Sequence, residues 1–128
     1  MLTLPKNDSK YLWTNHVKDK MVYYRISESL IKRIVRFPKR KEEGIAPSTT
    51  AVMQSAGNRK SKHEIWVMYQ EINAKLETKS AEETLKNVLL GNTPKIRIIS
   101  TWRYPGVSQA GKKIPIPDEI LQELENVI

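Results

Sequence analysis

Arg97 and Arg103 are the residues of this chain best suited to do chemistry. They stand six positions apart in the segment Lys95-Ile96-Arg97-Ile98-Ile99-Ser100-Thr101-Trp102-Arg103-Tyr104-Pro105-Gly106. Each guanidinium stays charged at any working pH and presents a fork that matches two phosphate oxygens. The segment reads as a strand, sending Ile96, Ile98, Ser100 and Trp102 one way and Arg97, Ile99, Thr101 and Arg103 the other. On a straight strand the two arginines share a face, roughly 20 Å apart. One would then hold a reacting phosphate and the other a neighbour. The competing structural role is ion pairing with Glu42, Glu43, Glu64 or Glu71 on adjacent strands.

Metal-free chemistry at a phosphodiester needs a base for the attacking hydroxyl, cations for the pentacovalent phosphate and an acid for the leaving oxygen. Tyr104 follows the arginine strand, and Pro105 holds it extended at the sheet rim. It can stack a base, donate a proton, or simply plug the core. His63 stands beside a basic turn with Arg59, Lys60 and Lys62, as a solvated turn histidine. His16 opens a predicted helix, where a structural role fits better than catalysis. The two histidines have no metal-ligand spacing, so neither a metal nor another cofactor is expected. Lys95, Arg59, Lys60, Lys62, Arg36 and Arg40 are the candidate contacts to a nucleic-acid backbone. The run from Arg25 to Lys41 also reads as an ordinary solvated helix face.

The elements that must position these groups follow from capping and periodicity. Thr14 caps a helix from Asn15 to Tyr24, with Val17, Met21 and Tyr24 on one face. Ser27 caps a second, with Leu30, Ile31, Ile34 and Val35 as its stripe, and Phe37-Pro38 ends it. An edge strand over 40–45, a strand over 49–55, a turn at Gly57-Asn58-Arg59-Lys60 and a central strand over 64–71 come next. Trp66, Trp102, Met21, Met53 and Met68 read as core. Ser80-Ala81-Glu82-Glu83 is a capping box, so a helical insert is expected within 73–93. After the arginine strand, a loop leads to a last helix started at Asp118. This is one α+β domain, 1–128, with a loose arm at 1–12, an antiparallel sheet of about four strands and helices on one face. The other face would be open for binding.

Composition agrees with an anionic partner. The formal net charge is +8. Six Lys or Arg and no acidic residue fall between Leu85 and Pro117, whereas four acidic residues and no basic one follow from Asp118. That asymmetry points to a basic working surface, with RNA the first candidate. The absence of cysteine excludes disulfides and thiol chemistry. No apolar run is long enough to span a membrane and no signal peptide is evident, so a cytoplasmic protein is expected.

Trp13-Thr14-Asn15-His16 and Met21, Arg25-Ile26-Ser27, Phe37-Pro38, Glu64-Ile65-Trp66-Val67-Met68-Tyr69 and Arg97 through Arg103 carry a family likeness. Over residues 12–104 the chain resembles the RelE/ParE/BrnT superfamily of toxin–antitoxin toxins, nearest its BrnT-like branch and a related domain of unknown function. The insert at 73–93 and the tail at 105–128 are not part of that pattern. The resemblance implies a RelE-like fold. In active members it implies endoribonuclease action on mRNA, often ribosome-bound, and inhibition by an antitoxin protein. Arg97, Arg103, Tyr104 and His63 would then be the catalytic set. Two other readings stand beside it: a non-catalytic RNA- or ribosome-binding domain using the same arginines, and a protein-interaction module whose exposed sheet or helix pair docks a partner peptide.

Overall fold

The computed structural model of the protein describes residues 3–46, 48–72 and 95–127. The expected helical insert lies outside the described residues.

Local capping sets the two N-terminal helices. Thr14 is extended and its hydroxyl accepts from the Val17 N–H at 3.0 Å, opening α1 (Asn15–Tyr24). Arg25 closes α1 in the left-handed region, with φ of 56°. Ser27 accepts from the Leu30 N–H at 3.2 Å and opens α2 (Glu28–Arg36). Phe37 ends it, one residue before proline. Both helices match their expected bounds.

The strands are β1 (Tyr11–Trp13), β2 (Arg40–Glu43), β3 (Thr49–Gly57), β4 (Lys62–Ile72) and β5 (Lys95–Pro105), in the order β1-β5-β4-β3-β2. The sheet therefore has five strands rather than about four. It is mixed rather than antiparallel, because β1 runs parallel to β5. The arm expected at 1–12 supplies that extra strand. Asp8 accepts from the N–H groups of Lys10 and Tyr11, and Asn7 accepts from that of Trp13. These bonds turn the chain so that Tyr11 and Trp13 drop into the core.

Helices were expected on one face only, and the fold departs from this. One face of the sheet carries Val52, Ile65, Val67, Tyr69 and Ile98 against Val17, Met21, Ile26, Ile31 and Ile34 of the N-terminal helices and their junction. The other carries Ala51, Met53, Trp66, Met68 and Trp102 against Ile114 and the last helix, α3 (Asp118–Val127), through Ile120 and Leu124. Trp66 and Trp102 stack there with centroids 6.2 Å apart. So large an apolar surface is costly to leave in water, and the C-terminal segment covers it.

A bulge breaks the register of the arginine strand. Met68 faces Ser100 but Tyr69 faces Ile98, so Ile99 has no partner on β4. The extra residue inverts the facing of everything before it relative to everything after.

Candidate functional site

The bulge separates the two arginines. Arg97 lies opposite Gln70 and Arg103 opposite Ile65. Ile65 and Gln70 are five residues apart on a regularly alternating strand, so the arginines project from opposite faces. Counting positions along β5 alone placed them on one face, because the sequence pattern gave no sign of an unpaired Ile99. Arg97 is exposed, and Lys95, opposite Ile72, is exposed as well. Tyr104 lies opposite Glu64, on the face away from Arg103, and packs half-buried against the tryptophan cluster. Of the expected catalytic set, the fold brings together His63 and Arg103.

Arg103 is occupied by protein partners. Its Nε donates to the Tyr24 carbonyl at 2.7 Å and its Nη2 to the Arg25 carbonyl at 3.1 Å. It thus fastens the C-terminus of α1, where carbonyls lack helical partners, to the sheet. Its Nη1 stands 2.9 Å from His63 Nε2. A guanidinium has no acceptor, so His63 Nε2 must accept and the ring proton sits on Nδ1. No carboxylate pairs with Arg97 or Arg103 among the described residues.

His63 also lines a cleft of about 500 Å³ at the β3–β4 hairpin end of the sheet. Lys39, Arg59 and Lys62 line it too, and no carboxylate does among the described residues. Gly57 shapes the wall. Its φ is +88°, and a Cβ there would meet the Ser61 carbonyl and come within 3.0 Å of His63 Nδ1. Lys39 is held over the cleft by donating to Ser55 Oγ at 2.9 Å. None of Lys39, Arg59, Lys60 or Lys62 forms an ion pair among the described residues. Unpaired cations converging on a concave surface draw an anion, and the phosphodiester backbone is the polyanion they best suit.

Arg36 is exposed at the end of α2. Arg40 is placed differently from the other expected backbone contacts. Its side chain is 12% exposed, stacks 5.0 Å over the Trp66 ring and pairs with Glu42 at 3.3 Å. It also donates to Ser108 Oγ at 2.9 Å, and that hydroxyl donates on to Glu64. Glu64 is fully buried and accepts further from Trp66 Nε1 and the Ser108 N–H, each at 3.1 Å. Arg40 thus belongs to a buried polar network.

His16 is buried, and its partners are side chains. Nε2 lies 2.8 Å from Ser100 Oγ, and Nδ1 lies 3.1 Å from the Glu123 carboxylate of α3. Lys20, one turn along α1, donates to the same carboxylate at 2.9 Å. Burial pushes the His16 imidazole below its ordinary value, and Lys20 adds to that, against the opposing pull of Glu123. In the neutral ring the carboxylate fixes the proton on Nδ1, and Ser100 donates to Nε2. The spacing of His16 and Lys20 was visible in the sequence, but their partners come from elements about 80 or more residues away.

No family model, curated protein or solved structure matches the chain. No helix is long and apolar enough to cross a membrane, and no group of three or more His, Cys, Asp or Glu could hold a metal, among the described residues.

Proposed function

We propose that this domain binds RNA, gripping the phosphodiester backbone in the hairpin-end cleft with Lys39, Arg59 and Lys62, and that it does so as a toxin-like component acting on mRNA. The observation that carries the reading is the cleft itself: converging cations, an imidazole N–H donor and no lining carboxylate among the described residues. Arg36 and Lys60, both exposed, extend the basic surface beyond it. The resemblance to RelE/BrnT toxins supplies mRNA as the target and an antitoxin as a second partner.

Binding fits this geometry better than cleavage. As a general base His63 would need its acceptor nitrogen free, and Arg103 occupies Nε2. As a general acid it would need an imidazolium, whose second N–H would point at the guanidinium. The endoribonuclease reading is kept by one feature, an oriented histidine on the wall of a cationic cleft. It requires the His63–Arg103 contact to open when RNA docks.

The test is a salt titration of binding to a short single-stranded RNA. Affinity should fall steeply with salt, and Arg59→Ala or Lys62→Ala should lower the slope by about 0.7 each. Affinity independent of salt would sink the reading. Product carrying a 2′,3′-cyclic phosphate, lost in His63→Gln, would establish cleavage.

A further inference from the structure

Glu123 sets one carboxylate between two buried side chains of α1. Its Oε1 is 2.9 Å from Lys20 Nζ, and its Oε2 is 3.1 Å from His16 Nδ1. His16 and Lys20 are each 8% exposed. Behind them, fully buried Ser100 holds the imidazole from its far side at 2.8 Å, so the donor nitrogen is aimed outward. The pair is one helical turn apart, which spaces two donors to receive two oxygens of one anion.

The anion is the removable half of this arrangement. His16 and Lys20 stand on α1, whose N-terminus is tied to β5 through the Thr14 hydroxyl and the Ile99 carbonyl at 2.9 Å, and whose C-terminus is clasped by Arg103. Glu123 has a side chain 44% exposed. It arrives on α3, whose buried side chains are Ile120 and Leu124 among those described. A helix held, among the described side chains, by two apolar anchors and a half-exposed carboxylate opens more readily than the elements beneath it.

We propose that His16 and Lys20 form an oxyanion site of the phosphate class, which Glu123 fills from within the chain and an external phosphate group takes when α3 shifts. Charge and donor chemistry favour phosphate: a tetrahedral dianion offers oxygens to both nitrogens and carries more charge than the carboxylate it replaces. The site is separate from the hairpin-end cleft and does not rest on the reading of that cleft.

The chain has two histidines, one at each location, so imidazole NMR reports both independently. His63→Gln assigns the signals. Inorganic phosphate is titrated into the full-length wild type and Glu123→Ala. The expected result is a His16 response in Glu123→Ala with millimolar affinity, one at least about tenfold weaker in wild type, where phosphate must displace Glu123, and one about tenfold weaker than in Glu123→Ala when Lys20→Ala is added to that variant. A folded Glu123→Ala whose His16 signal ignores phosphate overturns the proposal. An equal His16 response in wild type overturns it too, since Glu123 would then not be filling the site. If Glu123→Ala does not fold, Glu123→Ser gives the same two-way reading, because it too removes the carboxylate and empties the site. The His63 signal reports the cleft separately, so failure there leaves the His16 result standing.

Discussion

Arg103 donates from Nη1 to His63 Nε2 across 2.9 Å, while the rest of its guanidinium holds two carbonyls at the end of α1. One side chain therefore fixes both a helix terminus and a histidine tautomer. Removing it leaves the Tyr24 and Arg25 carbonyls short of a charged donor, so Arg103→Ala should cost about 1–3 kcal/mol of stability in urea unfolding. Arg103→Lys should recover little, since a single ammonium cannot span three acceptors. Arg97→Ala, on the opposite face and exposed, should stay within about 0.5 kcal/mol of wild type. Equal losses from the two substitutions would contradict this division of roles.

The hairpin-end cleft separates binding from stability. Arg59 and Lys62 are exposed and form no ion pair among the described residues, so charge reversal should leave the urea midpoint nearly unchanged. RNA affinity should drop, and the loss should shrink as salt rises. Gly57→Ala should weaken binding through shape and cost stability as well, because its φ of +88° strains a side chain and its new methyl meets the Ser61 carbonyl and the His63 ring. Filter binding at several salt concentrations separates the two causes: charge variants change the slope, and Gly57→Ala shifts the intercept.

His16 gives stability a pH dependence of known sign. Its folded pKa lies below the ordinary 6.5, chiefly through burial, with Glu123 pulling the other way. The unfolded chain therefore binds the proton more readily than the folded one. The contribution of His16 is complete above about pH 6.5 and is lost as pH falls through its lowered folded value. Unfolding free energy should decline on acidification from neutrality, and His16→Gln should flatten that decline. An unchanged profile in His16→Gln would show that other groups set it.

Much of the scaffold was legible because its signals are local. Thr14 and Ser27 cap helices through their own hydroxyls, Phe37-Pro38 stops α2, and β4 was legible from its unbroken Ile65–Tyr69 run. What escaped depends on residues far apart in sequence. Tyr11 and Trp13 make a strand because β5 offers an edge, and three residues show too little alternation to announce it. The bulge at Ile99 is a matter of pairing with β4, yet it decides which arginines share a face. The candidate site divides the same way. Arg59, Lys62 and His63 were visible as a basic turn, whereas Lys39 enters the cleft through its placement beside β3, where it meets Ser55. Glu123 and Ser100 carry no mark in the sequence that ties them to His16.

Glu64, Ser108 and Arg40 are coupled through one hydroxyl. Ser108 accepts from Arg40 Nη1 at 2.9 Å and donates to Glu64, a carboxylate with no solvent exposure. Arg40 keeps Glu42 at 3.3 Å and stacks on Trp66, whose Nε1 also donates to Glu64, but the serine hydroxyl is the hydrogen-bonded bridge between the guanidinium and Glu64. Substituting Glu64→Gln or Arg40→Gln alone should each cost about 1–3 kcal/mol, because each leaves a buried partner short of its charge. The two losses should not add. A double-mutant cycle on the pair should return a coupling of about 0.5–3 kcal/mol, and the same cycle in a Ser108→Ala background should return close to none. Coupling that survives Ser108→Ala would mean that the charges communicate through Trp66 or through space and that the hydroxyl is a bystander.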